Sequence, residues 1–123
     1  MKITDFSPLN KISKNPYILG SWLGKKPNSE GDFYFDSDSF YVIKNNVQTA
    51  IFDLHEIYEL SKTSIKINNV RIWQVKLLRN EEEFTFKFAH NWSIWNSNFK
   101  EFHSKINEIR PEAIKTKFNV WSR

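Results

Sequence analysis

Apolar and polar residues alternate along the middle of this chain with the period of two that a half-buried β-strand requires. The alternation begins at Gly31 and is clearest further on, where three phenylalanines occupy alternate positions, Phe84, Phe86 and Phe88. Threonine and lysine occupy the positions between these rings. We therefore predict an antiparallel meander over residues 31–90.

Short polar segments divide the predicted meander into strands. Asp and Asn are common in tight turns, and Asn tolerates the positive φ that a hairpin needs. A bend is predicted over residues 53–57, between two short strands, and a helix over residues 47–60 is the alternative. The four predicted turns are Asp36-Ser37-Asp38-Ser39, Asn45-Asn46, Asn68-Asn69 and Asn80-Glu81-Glu82.

The hydrophobic period changes to 3.6 residues in the last third of the chain, which predicts an amphipathic helix over residues 94–110. Ser93 or Asn96 is suited to cap its start, and Pro111 cannot continue it. The apolar stripe predicts that this helix caps the sheet and that its first aromatic residue is buried. The stripe consists of Trp95, Phe99, Phe102, Ile106 and Ile109.

A length of 123 residues is enough for one core and predicts a single domain over residues 1–123. Residues 1–30 are an irregular lead-in with three prolines and a possible first strand at residues 17–23. Residues 111–123 form a tail in which Trp121 is a candidate for an exposed aromatic contact. Trp92 is a second candidate, because Trp is enriched at interface hot spots.

The composition narrows the classes of function. The chain has no cysteine, which excludes disulfides, thiolate metal sites and cysteine nucleophiles, and favours a cytoplasmic location. Its net charge of +4 comes mostly from scattered lysines, so nucleic acid is a disfavoured partner. Basic residues come close to clustering only at Lys25-Lys26 and in the tail, at Lys115, Lys117 and Arg123.

Possible metal ligands lack the spacing that a site requires. Three aspartates surround the first turn, Asp32, Asp36 and Asp38, without the central Gly and terminal Glu of a calcium-binding EF-hand. The three histidines, His55, His90 and His103, lie on different elements, and each is predicted to be a surface or boundary residue. We therefore predict no metal site.

Groups suited to acid–base chemistry meet only near His55, which lies between Asp53 and Glu56 in sequence. Charged neighbours at a bend explain this arrangement equally well. The three glycines provide neither a nucleophile elbow nor a phosphate-binding loop. We therefore predict neither enzymatic activity nor a cofactor.

The order of elements, strands followed by one C-terminal helix, resembles the pleckstrin-homology-like superfamily, especially its small bacterial and GRAM-type members. The resemblance implies a partly open antiparallel β-barrel of about seven strands capped by a helix. It covers roughly residues 31–111 and rests on Gly31-Asp32-Phe33-Tyr34-Phe35, Phe40-Tyr41-Val42-Ile43, Ile51-Phe52-Asp53-Leu54-His55-Glu56-Ile57, the hairpin from Arg71 to Phe88, and Asn98-Phe99-Lys100-Glu101-Phe102.

The resemblance implies a non-catalytic interaction or scaffolding module. Phosphoinositide-binding members carry several basic residues between the first two strands, whereas this chain has either the acidic Asp36-Ser37-Asp38 or only Lys25 and Lys26 there. A protein partner is therefore favoured over an anionic lipid. The residues predicted to contact the partner are Lys25, Lys26, Trp92 and Trp121.

A lipocalin-like barrel that carries a small apolar ligand is the alternative architecture. Gly20-Ser21-Trp22 matches the short Gly-x-Trp signature near the start of such barrels. A small barrel with a phenylalanine-rich interior would be filled by its own side chains, which counts against this alternative. Weak binding to an anionic membrane is the second alternative function.

Overall fold

A computed structural model describes residues 9–13, 31–44, 47–67 and 70–119. Within these residues, seven strands precede one α-helix, and two short 3₁₀-helices lie at corners of the fold. In chain order the elements are β1 (Asn10–Lys11), β2 (Asp32–Phe35), β3 (Ser39–Lys44), β4 (Val47–Asp53), a 3₁₀-helix (Leu54–Glu56), β5 (Ile57–Ile67), β6 (Val70–Arg79), β7 (Glu82–Phe88), α1 (Asn98–Ile109) and a 3₁₀-helix (Pro111–Ala113).

The strands form two antiparallel sheets of consecutive neighbours. The first sheet has the order β1-β2-β3-β4 and the second has the order β5-β6-β7. The described residues form no closed barrel. The predicted fold class is confirmed: the protein is mainly β, partly open, and capped by one C-terminal helix. The lipocalin-like alternative requires a closed barrel, and its Gly20-Ser21-Trp22 segment lies outside the described residues.

Two of the four predicted turns can be compared with the structure, and both are present. At the first, the Asp36 carboxylate accepts the backbone N–H groups of Asp38 and Ser39 at 2.9 and 2.8 Å. At the other, Asn80 and Glu81 adopt φ angles of 50° and 67° between β6 and β7. The two Asn-Asn pairs lie outside the described residues. The bend at residues 53–57 is also confirmed, and the helix over residues 47–60 is wrong.

One corner between the sheets is closed by the segment that begins at β1. The Ile12 N–H donates to the Phe33 carbonyl of the first sheet, and the Ile12 carbonyl accepts from the Asn91 N–H just after β7, both at 3.0 Å. The Lys11 carbonyl also accepts from the side-chain amides of Asn91 and Asn98, at 2.7 and 3.1 Å. This segment therefore joins both sheets and the start of α1.

Arg79 joins the sheets at the opposite corner. Its guanidinium donates to both carboxylate oxygens of Glu56 at 3.0 and 2.6 Å, and to the Ile51 carbonyl of β4 at 2.8 Å. The guanidinium also lies 4.5 Å from the centre of the Phe52 ring. Its forked geometry, which a lysine cannot reproduce, connects β6 to β4 and to the bend between the sheets.

We expect Arg79→Ala to lower the free energy of unfolding by about 1–2 kcal/mol, since it removes a bidentate pair that is partly exposed and leaves the Ile51 carbonyl without this donor. Arg79→Lys keeps the charge but loses the fork, and should recover less than half of that loss. Urea unfolding followed by circular dichroism measures both variants. Equal stabilities of Arg79→Lys and the wild type would show that charge alone matters at this corner.

Helix α1 inserts one face between the sheets. Phe99, Phe102 and Ile106 are fully buried, as the apolar stripe predicts. Phe102 lies 5.3 and 5.9 Å, between ring centres, from Phe35 and Phe40 of the first sheet. The hydrophobic core is filled by such ring contacts.

The predicted start of the helix is wrong. The helix begins at Asn98 and ends at Ile109, within the predicted range of 94–110, and Trp95 lies before it with 90% of its surface exposed. Ser97 occupies the cap position instead of Ser93 or Asn96. The reason is local. Residues 93–96 form a separate turn, so Trp95 lies in that turn and not in the helix.

Candidate functional site

An exposed apolar turn precedes α1 and is the most unusual surface feature of the described residues. Ser93 and Asn96 pair their backbones in both directions, with N–H to carbonyl distances of 3.0 and 3.2 Å. The two residues between them, Ile94 and Trp95, are 78% and 90% exposed. We refer to residues 93–96 as the Ile94–Trp95 turn. Large apolar side chains this exposed are unfavourable in water unless something covers them.

Polar side chains hold this turn in shape. The Ser93 hydroxyl oxygen accepts the Trp95 N–H at 3.1 Å, and the Asn96 side-chain oxygen accepts the Asn98 N–H at 2.9 Å. Ser and Asn commonly stabilise turns by such local bonds. The turn is therefore preorganised, with its two apolar side chains directed away from the core.

Trp92 lies beside this turn and differs from Trp95 in its surroundings. It is half-buried and packs on Phe118, with a distance of 6.1 Å between ring centres. Trp92 thus supports the base of the turn, and only part of its surface is available to a partner. The other residues predicted to contact a partner, Lys25, Lys26 and Trp121, lie outside the described residues.

The exposed face of α1 continues from the turn with balanced charge. A shallow groove on this face is lined by two lysines, two glutamates and two serines, Ser97, Lys100, Glu101, Ser104, Lys105 and Glu108. Its lining charges sum to zero. The turn and this groove together place an apolar protrusion next to a polar surface of mixed charge.

The three histidines occupy three different environments. His55 is exposed, and its Nδ1 lies 3.0 Å from a carboxylate oxygen of Asp53. His90 is only 5% exposed and stacks on Phe99 at 4.9 Å between ring centres, so its predicted surface or boundary position is wrong. His103 is half-buried, and burial lowers its pKa although its Nε2 hydrogen-bonds the Thr116 carbonyl at 2.9 Å.

The acidic residues near His55 are occupied by structural contacts. The Asp53 carboxylate accepts the His55 backbone N–H at 2.8 Å, and this bond, followed by that from the His55 ring, lowers the pKa of Asp53. A Glu56 oxygen accepts the Asp53 N–H at 2.8 Å, while both Glu56 oxygens accept from Arg79. The bonds between Asp53 and Glu56 form a capping box that fixes the bend between the sheets.

The aspartates around the first turn also make structural contacts within the protein. Burial alone would raise the pKa of Asp36, but hydrogen bonds from the Tyr41 hydroxyl and from the turn N–H groups together lower it. Asp32 lies 3.6 Å from the Lys11 ammonium. The described residues bring no group of three histidine or acidic side chains together as a metal would require.

Sequence reasoning missed the exposed turn because it placed Trp95 on the helical stripe and did not consider Ile94. The local signal was present in Ser93 and Asn96, which can close a tight turn around the two residues between them. None of the helices in the described ranges is long and apolar enough to cross a membrane. No protein-family model, curated protein or solved structure matches this chain.

Proposed function

We propose that the protein is a non-catalytic interaction module that binds another protein through the Ile94–Trp95 turn. The observation that carries this proposal is the exposure of two adjacent large apolar side chains on a turn that three hydrogen bonds close and a fourth connects to the start of α1. A preorganised aromatic anchor binds with little loss of conformational entropy. Trp is also among the residues that contribute most to binding at interface hot spots.

The charges beside the turn support a protein partner over an anionic membrane. Membrane-binding surfaces combine an apolar tip with an excess of Lys and Arg, which the negative lipid surface attracts. The groove that continues from the turn along α1 has two lysines and two glutamates. A mixed polar rim around an apolar anchor is typical of protein interfaces.

The shape of the turn supports a partner with an apolar pocket over a second copy of this chain. A stable interface buries about 800 Å² on each side, whereas a Trp side chain buries at most about 250 Å². Two adjacent side chains on a protruding turn therefore supply an anchor and only a fraction of such an area. A concave partner that surrounds the anchor and reaches the rim on α1 provides the rest.

Membership of the pleckstrin-homology-like superfamily is part of this proposal. It is supported by the order of four strands, three strands and one capping helix. Members of that superfamily act as binding modules, which agrees with a contact site on a loop beside the helix. We also propose a cytoplasmic location, on the basis of the cysteine-free composition.

Crosslinking in the source cells tests this site. With a photoreactive amino acid in place of Ile94, we expect a discrete adduct with one protein, and Trp95→Ser should abolish that adduct. The matched control places the same photoreactive residue at Leu78, which is 48% exposed on β6. Absence of a protein adduct at position 94, adducts with lipid, an adduct with the same chain, or identical adducts at both positions would each contradict the proposal.

With the crosslinked partner purified, Trp95→Ser is expected to raise the dissociation constant by at least about 30-fold, the loss typical of a hot-spot residue. Leu78→Ser should change it less than about twofold, because Leu78 lies outside the proposed contact. Isothermal titration calorimetry measures both. Equal dissociation constants for the two variants would exclude the turn as the anchor.

A further inference from the structure

A second concave site lies at the other end of α1 and uses none of the residues of the Ile94–Trp95 turn. It is formed by the second half of α1, the Pro111 corner and the segment that follows, and its volume is about 330 Å³. This volume is within the range of small-molecule sites, roughly 300–1,000 Å³. The lining residues are His103, Asn107, Pro111, Ile114, Lys115 and Lys117.

The charged residues that line this site are all basic. Two of its lining residues are lysines, one is a histidine, and none of the six is acidic. Glu112, in the adjoining 3₁₀-helix, accepts from Arg110 Nε at 3.0 Å and also interacts electrostatically with Lys115. The groove on the exposed face of α1 has two lysines as well, but two glutamates offset them. Of the two sites, only this one concentrates positive charge in a concavity.

The backbone that carries the two lysines is fixed to the rest of the fold. The Lys115 N–H donates to the Leu60 carbonyl of β5 at 3.1 Å. Between the lysines, the Thr116 hydroxyl oxygen accepts the Lys62 N–H at 3.1 Å. Lys115 and Lys117 therefore extend from a segment held against β5 and not from a loose tail. The backbone positions from which the two lysine side chains extend are therefore fixed.

His103 and Asn107 supply polar groups on the helix side of the site. The Thr116 carbonyl can only accept, so His103 Nε2 carries the hydrogen of the bond between them, which fixes the ring. Edge-on packing against Trp73, with ring planes at 90°, also holds it. Asn107 lies one helical turn further along the same face and offers an amide donor.

We propose that this site binds an oxyanion group, the carboxylate or phosphate of a small molecule. Lys115 and Lys117 supply the countercharge and Asn107 supplies an amide donor, while His103, whose Nε2–H is donated to the Thr116 carbonyl, forms part of the wall of the site. Lysine ammonium groups, carried on flexible four-carbon stems, are common phosphate ligands and also pair with carboxylates. The proposal is independent of protein binding at the Ile94–Trp95 turn and would make the protein a two-site molecule.

Titration of the ¹⁵N-labelled protein with sodium phosphate or sodium acetate, each at ionic strength held constant with sodium chloride, tests the site by NMR. We expect saturable shifts confined to the amides of residues 103–117. Saturation by phosphate alone identifies a phosphate ligand, and saturation by both anions extends the site to carboxylates. The double variant Lys115→Gln/Lys117→Gln should weaken binding by about tenfold, as expected for two partly exposed charge pairs.

The matched control is Lys66→Gln/Lys76→Gln, which removes the same charge from the second sheet and should leave the dissociation constant within about twofold of the wild-type value. Well-dispersed spectra of both variants establish that each is folded. Shifts that do not saturate with either anion would overturn the proposal. Equal weakening in the two double variants would also overturn it, because it would show attraction to net charge and not to this site.

Discussion

Replacing Phe102 with alanine is expected to lower the free energy of unfolding by about 3–5 kcal/mol, the usual cost of removing a large ring from a core. Phe102 is fully buried and packs against Phe35 and Phe40 of the first sheet. Strands of the first sheet and the helix both lose contacts when this ring is removed. Urea unfolding measured by tryptophan fluorescence and circular dichroism gives the loss.

Trp95→Ala provides the control for Phe102, since both residues belong to the apolar stripe that the sequence assigns to one helix. The exposed Trp95 contributes little to the core, so its replacement should change stability by less than about 0.5 kcal/mol. Similar losses for the two variants would mean that the helix begins before residue 95 and buries both side chains. The comparison thus tests the start of α1 as well as its capping role.

Gly31→Ala is expected to destabilise the protein by about 1–3 kcal/mol, because no side chain fits at this position. Gly31 has a φ of +92°, a backbone conformation that residues other than glycine rarely adopt. A Cβ there would also lie 2.7 Å from the Ile43 carbonyl oxygen of β3, well inside van der Waals contact. The loss combines backbone strain with a clash against an atom that cannot rotate away.

Glu81→Gly is a control for Gly31→Ala, because it should change the free energy of unfolding in the opposite direction or not at all. Glu81 has a φ of 67° in an exposed hairpin turn, where glycine is favoured. This replacement should leave stability unchanged or raise it by up to about 1 kcal/mol. If Gly31→Ala were equally harmless, the start of β2 would have to adjust its backbone freely, contrary to the close approach of β3.

Strands β2 to β7 could be predicted from the sequence because apolar residues alternate with polar ones along much of each strand, whereas the two-residue β1 was not predicted. Phe33 and Phe88 lie on the buried faces of β2 and β7, as their alternation with polar residues indicates. The bend near Asp53 was also predictable, since a capping aspartate and glutamate three residues apart have a local signature. Alternation along a strand and a capping box both involve residues that are close in sequence, so the sequence alone is enough to predict them.

The start of the helix and the burial of His90 could not be predicted from hydrophobic periodicity. The first depends on a local turn that replaces the beginning of the helix, and the second depends on contacts between distant parts of the chain. Trp95 continues the helical stripe in sequence, yet the two-way backbone pairing of Ser93 with Asn96 closes a turn there. His90 pairs with Ser13 across the sheet corner and stacks on Phe99, contacts that join distant parts of the chain. Spacing alone could not reveal either contact.

The candidate sites were less predictable than the fold. Trp92 was predicted to offer an exposed aromatic contact, but it is half-buried against Phe118 through tertiary packing that no local pattern shows. That Lys115 and Lys117 lie close together was evident from the sequence. Their relation to His103 required knowing that residues 115–117 lie against β5 and α1. A site assembled from three elements has no linear motif.

The way in which residues 10–13 join the two sheets has a consequence for the order of folding. Within each sheet every strand from β2 onward pairs with its neighbour in sequence, so loop closure there costs little entropy. Ile12 instead bonds Phe33 and Asn91, contacts that span 21 and 79 residues. Residues 10–13 are synthesised before both of the segments that they contact. The two meanders can therefore form first, and we expect residues 10–13 to join them in a later step.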